Sequence, residues 1–243
     1  MREDPFDGWV ADEYATLWSH LFDPAVLEPA VDFLTQCSDG GPVLEFGIGT
    51  GRLAIPLRRR GVEVCGIERS PAMIRALRRD PDGAGIDVAA GDMSTTRVRR
   101  NFSLVYLARN TIMNLTTQEE QVACFRNAAD HLIPGGRFVV EVVVPPWRRL
   151  PPGETTICFD HTPTHVGIDE IDTATQQSYS HHVWTIDGTT RRFSAPFRYV
   201  WPAELDLMAR LAGLDLSERW NDWKRSAFTA DSSEHISAWR KNH

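Results

Sequence analysis

Three glycines spaced by two, Gly47, Gly49 and Gly51, follow the apolar run Val43–Phe46 and lead directly into Arg52 and a helical pattern. Without a Cβ a residue lets a ligand approach the backbone, and N–H groups at a helix start can receive a polar ligand tail. Glu45 stands two positions before the first glycine. A carboxylate there opposes a pyrophosphate but suits an ammonium group. Glu68 closes the next apolar run, where a carboxylate can accept from both hydroxyls of a ribose. Gly91-Asp92-Met93 follows the third run, where an acid can accept from an adenine amino group and a methionine can pack on the ring.

The elements that must position these groups alternate. Strands are expected at Val43–Phe46, Val62–Ile67, Ile86–Ala90, Phe102–Ala108 and Arg137–Val144. Between them lie helices over Arg52–Arg60, from the cap Ser70 through Arg79, and over Thr116–Leu132, with Pro81-Asp82-Gly83 read as a turn. Strand–helix alternation implies βαβ units and a parallel sheet, and continuous apolar strands imply cover on both faces. Upstream, Val10, Tyr14, Leu17, Trp18, Leu21 and Phe22 form one face of a helix over 10–22. Asp23-Pro24 opens a second helix through Thr35, which Pro29 should kink or split. Residues 145–153 are proline-rich. Extended segments follow near 155–160, 165–172, 176–187 and 190–200, with Asp187-Gly188 as a hairpin signal. A helix over Pro202–Ala212 and strands at Leu214–Trp220 and His235–Trp239 end the chain. The expected fold is therefore α/β, a doubly wound Rossmann-like sheet, mostly parallel with an antiparallel C-terminal edge. To it are added N-terminal helices and an antiparallel β insertion. Residues 1–144 and 202–243 form the core with its helical lid, and 145–201 the insertion, for acceptor binding or dimerisation.

The order Glu-x-Gly-x-Gly-x-Gly, an acid closing strand two, Gly-Asp-Met after strand three and Leu132-Ile133-Pro134-Gly135-Gly136-Arg137 before strand five resembles class I S-adenosylmethionine-dependent methyltransferases. The resemblance spans roughly residues 10–144 and the last helix and strands. It implies that Gly47, Gly49 and Gly51 line the methionine part of S-adenosylmethionine, with Glu45 near its amino group. It places Glu68 at the ribose, and Arg69 and Met73 beside the adenine that Asp92 and Met93, after Gly91, would read. It brings Leu107, Ala108 and Arg109 near the sulfonium and makes Tyr14 part of a lid. Glu68 stands where the family more often has Asp. A nicotinamide or flavin site needs G-x-G-x-x-G, and Arg52 occupies the place of the third glycine. A module that binds S-adenosylmethionine without catalysis, or an NAD(P)-binding Rossmann protein, is the contrasting expectation.

Methyl transfer is an in-line displacement. Positioning supplies much of the acceleration, and a base is required only where the nucleophile must lose a proton. Candidate catalytic residues are His182, Tyr14 and Glu141. Along the insertion His182 shares parity with Ser180 and Trp184. Candidate acceptor-binding residues are Trp18, Asn110, Met113, Asn114, Arg198, Tyr199 and Trp201. The insertion resembles the β flap of small-molecule methyltransferases that tailor natural products. The acceptor atom is left open between nitrogen, oxygen and sulfur, including methylation of a sulfur or disulfide in a peptide followed by base-assisted rearrangement.

Composition narrows the partners. Net charge is −7, a poor match for nucleic acid, and the run Asp/Asn/Ser-Pro-Pro-aromatic that adenine-type nitrogen methylation uses after strand four is absent. No apolar run approaches the ~20 residues of a bilayer span, and Met1-Arg2-Glu3-Asp4-Pro5 lacks an apolar signal core, so a cytoplasmic protein is expected. Cys37, Cys65, Cys124 and Cys158 form no C-x-x-C pair, and no metal is expected. All basic residues but Lys224 and Lys241 are arginine. An insertion sheet edge could pair two copies into a homodimer.

Overall fold

A computed structural model of the chain describes residue 6 and residues 8–242, without the side chains of 148 and 149. The Met1–Pro5 stretch read above lies outside the described residues. Strands β1 (Val43–Phe46), β2 (Val64–Glu68), β3 (Asp87–Ala90), β4 (Phe102–Leu107), β5 (Leu132–Val143), β10 (Leu214–Trp220) and β11 (Glu234–Lys241) form one sheet. Its order is β10-β11-β5-β4-β1-β2-β3. Pairs among β1 to β5 are parallel, and β11 runs antiparallel to both β5 and β10. The chain reverses its direction of winding between β1 and β4, and a crevice opens there at the strands' carboxyl ends.

Parity along these strands sorts the core. Leu44, Phe46, Val105, Leu107, Phe138 and Val140 pack on one face with Phe125 of α6 (Gln118–His131) and with Leu205 of α7 (Pro202–Leu211). Val43, Leu104, Tyr106 and Val139 pack on the other with Phe33 and Leu34 of α2 (Pro24–Ser38) and Leu57 of α3 (Ala54–Arg59). Burying one such side chain is worth about 1.5–3 kcal/mol. Helix ends are fixed locally. Asp23 accepts from Ala25 N–H, Ser70 from Met73 N–H at the start of α4 (Pro71–Leu77), and Thr117 and Glu120 form a reciprocal capping box on α6.

Three expectations are corrected. The 10–22 helix is two pieces, α1 (Trp9–Leu17) and a 3-10 turn over Ser19–Phe22, because the chain leaves helical geometry at Trp18. Pro29 does not split α2, which runs unbroken from Pro24 to Ser38; it removes one backbone bond, and burial of Phe33, Leu34 and Cys37 carries the helix past it. Pro81–Ala84 is a single helical turn, α5, because Asp80 caps it by accepting from Asp82 N–H and Gly83 N–H.

The insertion is a separate antiparallel sheet in the order β6-β7-β8-β9 (Thr156–His161, His165–Asp172, Gln177–Ile186, Thr189–Arg198). α1 joins the two sheets. Val10 and Leu17 pack on Phe193 and Ala195 of β9, while Ala11 packs on Ala72 and Met73 of α4. Among the described residues no helix is long and apolar enough to cross a membrane.

Candidate active site

One cavity of about 1030 Å³ occupies the crevice and continues under the insertion. That is at the upper end of the ~300–1,000 Å³ usual for small-molecule sites. At its β1 end Glu45 is nearly fully buried, and Tyr106 O–H donates to its Oε2 at 2.7 Å. Burial pushes the Glu45 carboxyl up to about 8, against the pull of the Tyr106 hydrogen bond and the Arg52 charge and with a further push from Glu68. Gly49 has φ +56, a left-handed conformation that side-chain-bearing residues rarely adopt, and its N–H donates to Glu68 Oε2 at 2.8 Å. Ser70 N–H donates to the other oxygen of Glu68 at 2.8 Å, so one carboxylate ties the glycine turn to the start of α4. Asp92 lines the far end. Its Oδ1 accepts from Ser94 N–H at 2.8 Å, and Arg69 lies 3.9 Å from Oδ2. Met73, Gly91 and Met93 line the same end.

After β4 the backbone turns through two consecutive non-glycine residues at positive φ, Arg109 (+51°) and Asn110 (+62°). Such residues cost of order 1–3 kcal/mol each and persist where the surroundings hold them. Here Glu141 holds them. Its Oε2 accepts from Arg109 N–H at 2.7 Å, its backbone O accepts from Asn110 N–H at 3.1 Å, and Oε1 accepts from Trp223 Nε1–H at 2.9 Å. Asn110 Oδ1 in turn accepts from Val143 N–H at 2.8 Å. The turn presents Ala108, Arg109, Asn110, Met113 and Asn114 to the cavity.

The insertion supplies the opposite wall. Ser178, Ser180 and His182 are buried on one face of β8, and Asp169 lies directly across from Ser180 on β7. A chain of contacts runs outward from there. Ser180 Oγ lies 3.2 Å from His182 Nε2, His182 Nδ1 lies 2.9 Å from His165 Nε2, and His165 Nδ1 lies 2.6 Å from Asp160 Oδ2. Burial lowers the His182 pKa to about 4, helped by His165 and His181 and opposed by Asp160, so the ring is neutral at physiological pH. Burial raises the Asp169 carboxyl, opposed by a hydrogen bond with Ser180 and by His181. From α1, Tyr14 and Trp18 enter the cavity with ring centroids 4.8 Å apart. Burial also raises the Tyr14 phenol, despite Arg52 and Arg109 nearby, which keeps it protonated.

The cavity thus brings together Tyr14, Trp18, Glu45, Gly47, Gly49, Glu68, Arg69, Met73, Gly91, Asp92, Met93, Ala108, Arg109, Asn110, Met113, Asn114, His182 and Tyr199. Five expected residues stand outside it. Gly51 packs against the helices, where an added Cβ would come 2.3 Å from Leu77 Cδ1. Leu107 points into the core, since its strand parity is that of Val105. Glu141 spends both carboxylate oxygens on the Arg109 turn and on Trp223, so it positions that turn. Arg198 is buried in an ion pair with Glu204 at 2.6 Å and also donates to Gln121. Trp201 is 37% exposed just before α7.

Sequence reading missed Arg52, Thr50, Trp147, Asp169, Ser178 and Ser180, which all line the cavity. Parity with His182 marks Ser178 and Ser180. Asp169 carried no such signal, because its register against Ser180 is set across strands. Among the described residues no group of His, Cys, Asp and Glu could hold a metal ion.

A methyltransferase-domain family model matches residues 43–136. The solved CcbJ methyltransferase from Streptomyces caelestis is 38% identical over 88% of this chain and 89% of its own, with TM-score 0.80. The cypemycin N-terminal methyltransferase of a Streptomyces species is 27% identical over 82% of each chain. The S-adenosylmethionine-bound amino pentose methyltransferase CalS10 from Micromonospora echinaspora shares the fold, at 19% identity, 99% and 100% coverage and TM-score 0.68.

Proposed function

The chain belongs to the S-adenosylmethionine-dependent methyltransferase family, and from that premise we propose that it methylates an amine nitrogen of a bulky, partly apolar small molecule of natural-product type. One observation carries the choice of nitrogen. The cavity that holds the glycine turn also holds Asp169, a carboxyl desolvated beneath the aromatic insertion and facing the space left for an acceptor. Such a group suits an amine, which arrives as an ammonium and needs a counter-charge where water is scarce. The relative named for methylation of a peptide N-terminus supports the same reading.

The residues present fit the cofactor. Gly47 has no room for a side chain, since a Cβ would lie 2.6 Å from Thr111 Cγ2, and the buried Thr50 hydroxyl has no partner among the described residues. In this reading Gly47, Gly49 and Thr50 receive the amino-acid tail, with Glu45 for its ammonium. Glu68, which also accepts from Gly49 and Ser70, takes the ribose hydroxyls. Asp92 accepts from the adenine amino group, with Met73 and Met93 on the ring and Arg69 and Gly91 at its margin. When bound, S-adenosylmethionine supplies a methyl group already activated on a sulfonium. What falls to the chain is alignment: Ala108, Arg109 and Asn110 on their fixed turn, Met113, Asn114 and Tyr199 around the acceptor, and Tyr14 and Trp18 as a lid over both.

Incubation with methyl-labelled S-adenosylmethionine and matched panels of amines, phenols and thiols tests the proposal. Label on nitrogen with stoichiometric S-adenosylhomocysteine is the expected result. Transfer to oxygen or sulfur alone would overturn it.

A further inference from the structure

The contacts under the insertion run from the cavity to the surface across three strands. Ser180 and His182 on β8 line the cavity, His165 on β7 is buried behind them, and Asp160 on the edge strand β6 has its side chain 39% exposed. The direction of the hydrogens can be worked out from the outer end. An ionised Asp160 can only accept, so His165 Nδ1 carries a hydrogen toward it. With His165 neutral its Nε2 is bare and must accept from His182 Nδ1–H. That leaves His182 Nε2 bare to accept from Ser180 O–H. Once Asp169 carries a proton, Ser180 oxygen, its cross-strand partner, can accept from it. In that state every donor in the chain points outward.

We propose that Asp169, Ser180, His182, His165 and Asp160 form a proton exit that drains the acceptor amine during methyl transfer. The inference rests on the amine reading above. The carbon–sulfur bond breaks with its electrons remaining on sulfur and the product leaves as the methylated ammonium, but the amine arrives as an ammonium too and must first give up one N–H proton to free its attacking lone pair. Asp169 takes that proton and passes it to Ser180 Oγ as the Ser180 hydrogen moves to His182 Nε2. The His182 Nδ1 hydrogen moves to His165 Nε2, and the His165 Nδ1 hydrogen moves to Asp160, which releases a proton to water. One proton enters, one leaves, and no net charge stays in the sheet.

The surroundings suit this task. Trp18, Phe159 and Phe193 ring His182 at centroid distances of 6.2, 5.4 and 5.4 Å and keep water from the middle of the chain. Trp184 stacks on His165 at 3.7 Å. A Cβ at Gly167, on β7 across from His182, would lie 2.3 Å from the Phe159 ring, so glycine there lets that ring close over His182. The charged or titratable neighbours are His181, which contacts Ser194 of β9 and lies 3.8 Å from Glu170, and Asp160 and Asp169 themselves. The depressed basicity of His182 lets it pass a proton without storing it.

Histidine 15N NMR of the ligand-free protein at pH 8 tests the direction, with signals assigned through His165→Gln and His182→Gln. Neutral Nδ1–H tautomers at both residues are expected. An Nε2–H tautomer at His182, or an imidazolium at His165, would overturn the relay, whatever the acceptor proves to be. Asp160→Asn tests the exit, since the amide oxygen can still accept from His165 but cannot take a proton away. It should leave the tautomers and S-adenosylhomocysteine affinity unchanged, lower kcat for an amine acceptor by about 10²-fold, and introduce a solvent deuterium isotope effect that the wild type lacks. Unchanged kcat in that variant would sink the proposal. Absence of amine methylation by the wild-type protein, with the tautomers as expected, would instead count against the amine reading.

Discussion

The end of the cavity proposed for the cofactor is made by turns at the carboxyl ends of parallel strands, whereas the end proposed for the acceptor is made by alternate residues of an antiparallel sheet. In the first, backbone groups and carboxylates meet at the ends of adjacent parallel strands or within two residues of each other in sequence. Glu68 grips Gly49 and Ser70, and Asp92 grips Ser94. In the second, groups become neighbours only through register: Asp169 meets Ser180, and His165 meets His182 from the adjacent strand. The difference implies that the two ends can be damaged separately, and that the strained Arg109-Asn110 turn between them is the place where damage spreads.

Substitution of Gly49 by valine should separate the ends most sharply. A β-branched residue at φ +56 is strained, and its side chain would stand in the cavity. S-adenosylhomocysteine affinity should fall by about 100-fold, close to 3 kcal/mol, when measured by calorimetry. Retained affinity would remove the glycine turn from the cofactor end.

Glu141→Gln acts on the shared turn. An amide offers one acceptor where Arg109 N–H and Trp223 N–H require two, so one buried donor loses its partner. A stability loss of about 1–3 kcal/mol in urea unfolding is expected, together with weakened cofactor binding. A variant as stable as the wild type would mean that something else holds the turn.

A smaller effect concerns protons at the cofactor end. Between its ordinary value of 4.5 and about 8, Glu45 holds more proton in the folded than in the unfolded chain. The ligand-free protein therefore loses stability from this group as pH rises through that window. A ligand ammonium beside Glu45 favours the carboxylate, so binding at pH 7 should release up to one proton and strengthen as pH rises toward 8. Calorimetry in buffers of different ionisation enthalpy reads this, and Glu45→Gln should abolish it. Proton uptake on binding would contradict the placement.

The smallest change is expected from His182→Ala at the acceptor end. Calorimetric affinity for S-adenosylhomocysteine should stay within about twofold, under 0.5 kcal/mol. A large loss would show that the two ends are not separable.

Much of the architecture could be read along the chain because it rests on local rules. Apolar runs bounded by glycine and proline gave the strands. Ser70, Thr117 and Asp23 announced helix starts that the structure caps with those side chains. Asp187-Gly188 marked the hairpin between β8 and β9. Errors arose where tertiary packing overrode a local signal. Pro29 did not split α2 because the buried face of that helix outweighs one missing bond. Gly51 serves packing against Leu77, and Arg198 is spent on Glu204, although both stood in stretches that read as a site.

The sequence by itself determined the sheet, the glycine turn after β1 and the chemical character of the carboxylates around it, because those groups sit at strand ends whose places follow from the winding of the chain. Only the tertiary structure decided what lines the cavity beneath the insertion. Strand register, the side from which α1 closes, and the direction in which a histidine can donate depend on residues far apart in sequence. Parity along one strand says which residues share a face, but not which residue of the next strand lies opposite.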